Sequence, residues 1–218
     1  EPFPLPRELF LSQSPFLKAA VSSTWTQDPG KPVDLSDHSA ETFNDYINCV
    51  YLTRVPMPDF TPPEDASDDD DGPTWMPTEP FVCTRTDFGS LIRIYVLADK
   101  LGDLATANIV MDAIVEYASA AMANFDDQDI RSIYEATAGV SNPLRKLCVY
   151  QYVLERKIAI NPAFAPVQLL SEVYFENLGI LNGAGDEERV KEIFETPATT
   201  RDRCYFHQHD SEHAECTD

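Results

Sequence analysis

The sequence predicts an α+β fold: a small β-sheet flanked by a helical cluster and followed by a helical C-terminal extension. Three observations predict it. The stretch KPVDLSD alternates Val33 and Leu35 with polar neighbours, the period of a half-buried strand. From Ser90 onward apolar residues recur at helical spacing, so the strand signal is confined to the first third. The 218 residues are 43 % hydrophobic, enough to bury a core in one large domain or two small ones.

The opening, FPLPRELFLSQSPFLKAAV, sets Leu9, Phe10, Phe16 and Leu17 around a Ser-Pro break. It reads as a short extended piece followed by a helix, an element missing its upstream partner. After the Val33–Leu35 strand, Ser39 is placed to cap a helix over Glu41–Leu52. Phe43, Tyr46, Ile47, Val50 and Tyr51 then share one apolar face. From about residue 56 to 86 the pattern stops: the segment is rich in proline and acid, holds Asp68 to Asp71 in a row, and cannot offset its ordering entropy by burial. It is expected to be a disordered, solvated insertion, with an acidic docking segment as the alternative.

Helical spacing resumes with Leu91, Ile94, Tyr95, Ala98 and Leu101, and Gly102 supplies a stop. Asp103 caps the next helix, whose Leu104, Ala107, Met111, Ile114, Val115 and Ala118 repeat the period, so two antiparallel helices meet at a tight Gly-Asp corner. A short helix follows through Ile130, Ile133 and Tyr134. Ser141 and Pro143 open another, with serine at the cap and proline in the first turn. A further helix carries Val167, Leu170, Tyr174 and Leu178 before Gly179, and EERVKEIFE is a last amphipathic piece.

Sixteen Lys plus Arg face 37 Asp plus Glu, a net charge of -21, which argues against nucleic acid and anionic membrane and for basic partners. No apolar run approaches the roughly 20 residues of a bilayer span, and EPFPLPRELF lacks the basic segment and apolar block of a signal peptide. Cys49, Cys83 and Cys148 stand alone in apolar or mixed stretches, as reduced buried thiols do. A cytoplasmic or nuclear protein is expected. There is no G-x-S-x-G, H-E-x-x-H, P-loop or G-x-G-x-x-G motif, so no catalytic residue is assigned and no enzyme is expected.

The conspicuous chemistry lies in the tail, where Cys204, His207, His209, His213 and Cys216 give C-x2-H-x-H-x3-H-x2-C. This exceeds the four ligands of a structural zinc site, but such sites collect ligands from separated knuckles. Two readings stand: an exposed polar tail without cofactor, or a structural zinc site. Asn108 and Asp112, one turn apart, form a polar stripe suited to an ordinary helix surface or to a partner. Arg145 reads as an inward-reaching side chain that ties helix ends together. His38 reads as a solvated turn residue, and Lys100 as complementing a helix C-terminus.

The blocks SPFLKAAV (Ser14–Val21), VDLSDHSAETFNDYINCVYLTRV (Val33–Val55), LIRIYVLADKLGDLATANIVMDAI (Leu91–Ile114) and IYEATAGVSNPLRKLCV (Ile133–Val149) resemble, in order and spacing, the BTB/POZ domain proteins of filamentous fungi. The resemblance implies a BTB/POZ-like domain over 1–122 carrying the acidic insertion, a helical extension over 123–195, and a Cys/His-rich tail over 196–218 of a kind that recurs in that family. It implies a scaffold or adaptor in protein-protein interaction, with an open sheet edge for docking. A finer implication is a substrate adaptor of a cullin-type ubiquitin ligase. In cullin-recruiting members an apolar residue followed two places later by an acid helps make the contact; here Tyr51 ends the helix and Met57-Pro58-Asp59 has those residue types. In the family a strand ending in an acid comes before the first block and often mediates dimerisation by exchange. None precedes it in this sequence, and Pro6 and Arg7 replace an expected His and Lys, so a homodimer stays open.

Overall fold

The computed structural model describes residues 6–22, 33–55, 88–120, 124–139, 141–153, 165–174 and 203–209. These residues form helices α1 (Arg7–Gln13), α2 (Pro15–Ala20), α3 (Ala40–Leu52), α4 (Phe88–Leu101), α5 (Leu104–Ala120), α6 (Asp127–Ala136) and α7 (Pro143–Val153). Helical residues 167–174, here α8, and a 3-10 turn at Arg203–Tyr205 complete them. No helix among them is long and apolar enough to cross a membrane.

The α+β expectation is corrected: no strand occurs among the described residues, and helices pack on helices. The period-2 signal at Val33 and Leu35 is real as a burial pattern, since both are half-buried against the core while Asp34 and Ser36 are exposed. It is not a ladder. The Asp34 carboxylate accepts from Ser36 N–H at 3.0 Å, and His38 N–H donates to the Leu35 carbonyl at 3.0 Å, so the chain turns at once into α3. Alternation reports which side of a segment is covered; a helical surface covers it as well as a second strand does. The expected open sheet edge therefore has no counterpart among the described residues.

The opening is helical earlier than expected: α1 covers Arg7–Gln13, and Ser14 both ends it and caps α2, its Oγ accepting from Leu17 N–H at 3.0 Å. Helix α4 is the centre of the molecule and packs against α2, α3, α5 and α6. Leu91, Ile92, Ile94, Tyr95, Leu97, Ala98 and Leu101 are all buried on it, a wider face than one stripe, as a helix wrapped on most sides must have.

The Gly-Asp corner forms as expected. Gly102 takes φ +68°, and Asp103 N–H returns to the Ala98 carbonyl at 2.9 Å, a left-handed stop that glycine adopts without penalty. Asp103, fully buried, accepts from Thr106 N–H (3.0 Å), Thr106 Oγ1 (2.8 Å) and the Tyr46 hydroxyl (2.9 Å). Ser14 Oγ donates to the Leu101 carbonyl at 2.6 Å. The corner thus fixes α2, α3, α4 and α5 together.

Arg145 does tie helix ends. It is buried on α7; Nε donates to Thr137 Oγ1 at 2.9 Å, Nη2 to the Tyr134 carbonyl at 3.1 Å and to the Thr137 carbonyl, and Nη1 lies 3.4 Å from Glu172 of α8. The cap of α7 is Asn142 rather than Ser141, with Oδ1 accepting from Leu144 N–H at 3.1 Å. On α8 the buried residues are Leu169 and Val173, while Val167, Leu170 and Tyr174 of the expected face are exposed. Leu178, the EERVKEIFE piece and the acidic insertion lie outside the described residues.

Candidate functional site

Among the described residues, the polar contacts that span the most sequence are made by the tail. Residues 206–209 follow the 3-10 turn without regular secondary structure, and Gln208 bridges α4 and α5. Phe206 is 4 % exposed and meets Tyr150 of α7 edge-on, ring centroids 5.7 Å apart; Tyr205 also meets Phe206 edge-on, at 4.7 Å, and remains 37 % exposed. The aromatic pair seats one end of the segment on the bundle.

Beyond it, Asn108 Nδ2 donates to the Gln208 carbonyl at 3.0 Å, and Asn108 Oδ1 accepts from Gln208 N–H at 2.8 Å. One side-chain amide thereby satisfies both backbone groups of a residue, as a neighbouring strand would. Gln208 Nε2 donates to the Tyr95 hydroxyl at 2.8 Å and to Asp99 Oδ1 at 2.9 Å. His207 Nε2 lies 2.8 Å from Asp112 Oδ1; a carboxylate only accepts there, so the ring nitrogen donates. Burial and the nearby Asp99 carboxylate hold the Tyr95 hydroxyl well above the usual tyrosine range, so it stays protonated. Asn108 and Asp112, one turn apart on α5, and Tyr95 and Asp99, one turn apart on α4, thus together receive His207 and Gln208 of the tail. The polar stripe on α5 is no ordinary solvated surface.

The zinc candidates divide. Cys204 and His207 are half-buried and His209 is exposed, and the two imidazole centroids are 6.2 Å apart. His213 and Cys216 lie outside the described residues. Among the described residues no three His, Cys, Asp or Glu side chains come together to hold a metal ion. Of the cullin-contact candidates, Tyr51 is 53 % exposed at the end of α3, its ring edge against Phe10 at 6.2 Å, and Leu52 beside it is 48 % exposed. Met57 and Asp59 lie outside the described residues.

Cys49 and Cys148 are fully buried free thiols as expected, and burial pushes the Cys49 thiol up to about 12; Cys83 lies outside the described residues. His38 lies in the turn before α3 as expected but is only partly solvated: its side chain is 12 % exposed and desolvation lowers its basicity. Lys100 pairs with Asp37 at the entry to α3. The residues that composition and spacing did not single out are Tyr95, as a hydrogen-bonding group, and Gln208. A polar side chain thirteen residues before Asn108 in an apolar stripe is their only local signal.

Compared with protein-family models, curated proteins and solved structures, the chain matches none.

Proposed function

We propose that the chain is a protein-protein interaction module that works as a scaffold or adaptor and carries no chemistry of its own. The observation behind this reading is the end of α3, where Tyr51 and Leu52 stand 53 % and 48 % exposed on a helix whose Phe43, Tyr46, Cys49 and Val50 are buried. Adjacent large apolar side chains held on a rigid, capped helix form the kind of anchor that interfaces use. The left-handed Thr53, φ 50°, turns the chain away directly after them.

The likeness to fungal BTB/POZ proteins supports the same reading for the helical part alone. Its blocks fall on α2, on α3, on α4 with α5, and on α6 with α7. The finer version, a substrate adaptor for a cullin-type ubiquitin ligase, rests on the likeness of these sequence blocks and not on the fold, since the expected sheet has no counterpart among the described residues. It is tested by pull-down with a cullin N-terminal domain. Retention by the wild-type chain and loss in Tyr51→Ala/Leu52→Ala with an unchanged melt is expected; equal retention by the variant removes the α3 surface, and no retention by either removes the ligase version.

A further inference from the structure

We infer that the face formed by Tyr95, Asp99, Asn108, Asp112 and Tyr150 is a peptide-binding groove, occupied in this structure by the chain's own Tyr205–His209. Its partner in trans is an extended peptide with an aromatic residue, then a hydrogen-bond donor, then glutamine.

The chemistry of the groove defines that ligand position by position. Phe206 is the buried anchor, packed on Tyr150. The next position meets the Asp112 carboxylate, 42 % exposed, which requires a donor such as His, Lys or Arg and repels an acid. The third is read by three residues through four hydrogen bonds: its backbone N–H and carbonyl by Asn108, and its side-chain amide by Tyr95 and Asp99. An amide nitrogen can donate to both the hydroxyl and the carboxylate; a glutamate there would face Asp99 as like charge. Reading the main chain through a side-chain amide is how an extended ligand is held independently of the residues between its anchors.

Two features separate this from ordinary tail packing. The hydrogen bonds that His207 and Gln208 make to the groove join residues about 95 or more positions apart, so they are tertiary and not local contacts. The helices are joined to one another by bonds of their own, at the Asp103 corner and the Arg145 tie, whose partners all lie outside residues 203–209. The net charge of -21 favours encounter with a basic peptide. The self-segment then acts as a competitor whose release uncovers the groove.

The test uses the full chain and a fluorescent peptide of sequence YFHQH. Against the Phe206→Ala/Gln208→Ala variant, saturable binding at least tenfold tighter than to wild type is expected, lost when Asn108→Ala is added and lost for the peptide YFHEH. A folded variant that shows no saturable binding, or binds YFHEH equally well, overturns the inference. Should that variant not fold, amide exchange of Gln208 in the wild-type chain decides: excess YFHQH should accelerate it severalfold while α6 amides stay constant, and an unchanged rate refutes the groove. Neither readout involves Tyr51 or Leu52, so failure here leaves the α3 surface standing.

Discussion

Replacing Asp103 by alanine should destabilise the chain by about 3 kcal/mol, a large share of the roughly 5–15 kcal/mol that holds a domain folded. The carboxylate is fully buried and accepts from Thr106 N–H, Thr106 Oγ1 and the Tyr46 hydroxyl. Loss of the helix cap alone contributes about 1 kcal/mol. Tyr46 is 0 % exposed, so its hydroxyl would be left buried without this acceptor, at about 1–3 kcal/mol. Asp103→Asn should cost less, about 1 kcal/mol: asparagine caps as well as aspartate, and its amide can donate to the Tyr46 oxygen.

The cycle with Tyr46→Phe isolates the second contribution. Removing the hydroxyl removes the orphan that Asp103→Ala creates, so the double variant should be less destabilised than the sum of the singles by about 1–2 kcal/mol. Urea unfolding followed by circular dichroism measures all four corners, with a shift of about 1 M or more expected for Asp103→Ala. Additive singles, or a cost below about 1 kcal/mol for Asp103→Ala, would refute the corner as a buried hydrogen-bonded hub.

Arg145→Ala should cost about 3–5 kcal/mol in the same assay, because it leaves Glu172, 10 % exposed, buried without its guanidinium; Arg145→Met/Glu172→Gln should recover part of it. Stability should be flat with pH near neutrality and fall above about pH 9. Cys49 is pushed up to about 12, and burial also raises Tyr46, Tyr95 and Tyr134, so these groups hold their protons in the fold and release them on unfolding. Each contributes up to about 1.4 kcal/mol lost per pH unit between its unfolded and folded values, and an unfolding midpoint unchanged from pH 8 to pH 10.5 would contradict this. Cys49 and Cys148, both 0 % exposed, should resist a thiol reagent in the native chain and react on unfolding, as read by mass mapping; rapid native labelling of either would show that the core opens there.

What was legible in the sequence was local. Ser39 and Asp103 were readable as caps because a cap bonds to a backbone N–H within three residues. The buried face of α4 was readable because its period is internal to the helix. Val33 and Leu35 misled because alternation is silent about what covers the buried side. Ser141 and Asn142 are adjacent cap formers, and Pro143 is tolerated after either; the structure uses the one that leaves proline at the first helical position. On α8 two apolar stripes compete, Leu169 with Val173 and Val167 with Leu170 and Tyr174. The choice belongs to Glu172, whose pairing with Arg145 and acceptance of the Tyr134 hydroxyl at 2.6 Å face that side inward. The tail's aromatic and imidazole residues were visible, but their partners are long-range, so a cluster dense in metal-ligand types gave no hint that Asn108 and Asp112 receive it.

The corner and the groove are mechanically linked. Asp99 lies just before Gly102 and Asn108 just after Asp103, so the separation of the two reading faces is set by the turn between them. Gln208 spans that separation, with its backbone on α5 and its side chain on α4. If the cap at Asp103 is lost, the first turn of α5 frays, and the backbone and side-chain contacts of Gln208 can no longer both be met. In Asp103→Ala, amide exchange of Gln208 should therefore accelerate more than exchange in α7, beyond what the global loss of stability accounts for. Equal acceleration at both places would mean that α4 and α5 hold the segment independently of the corner.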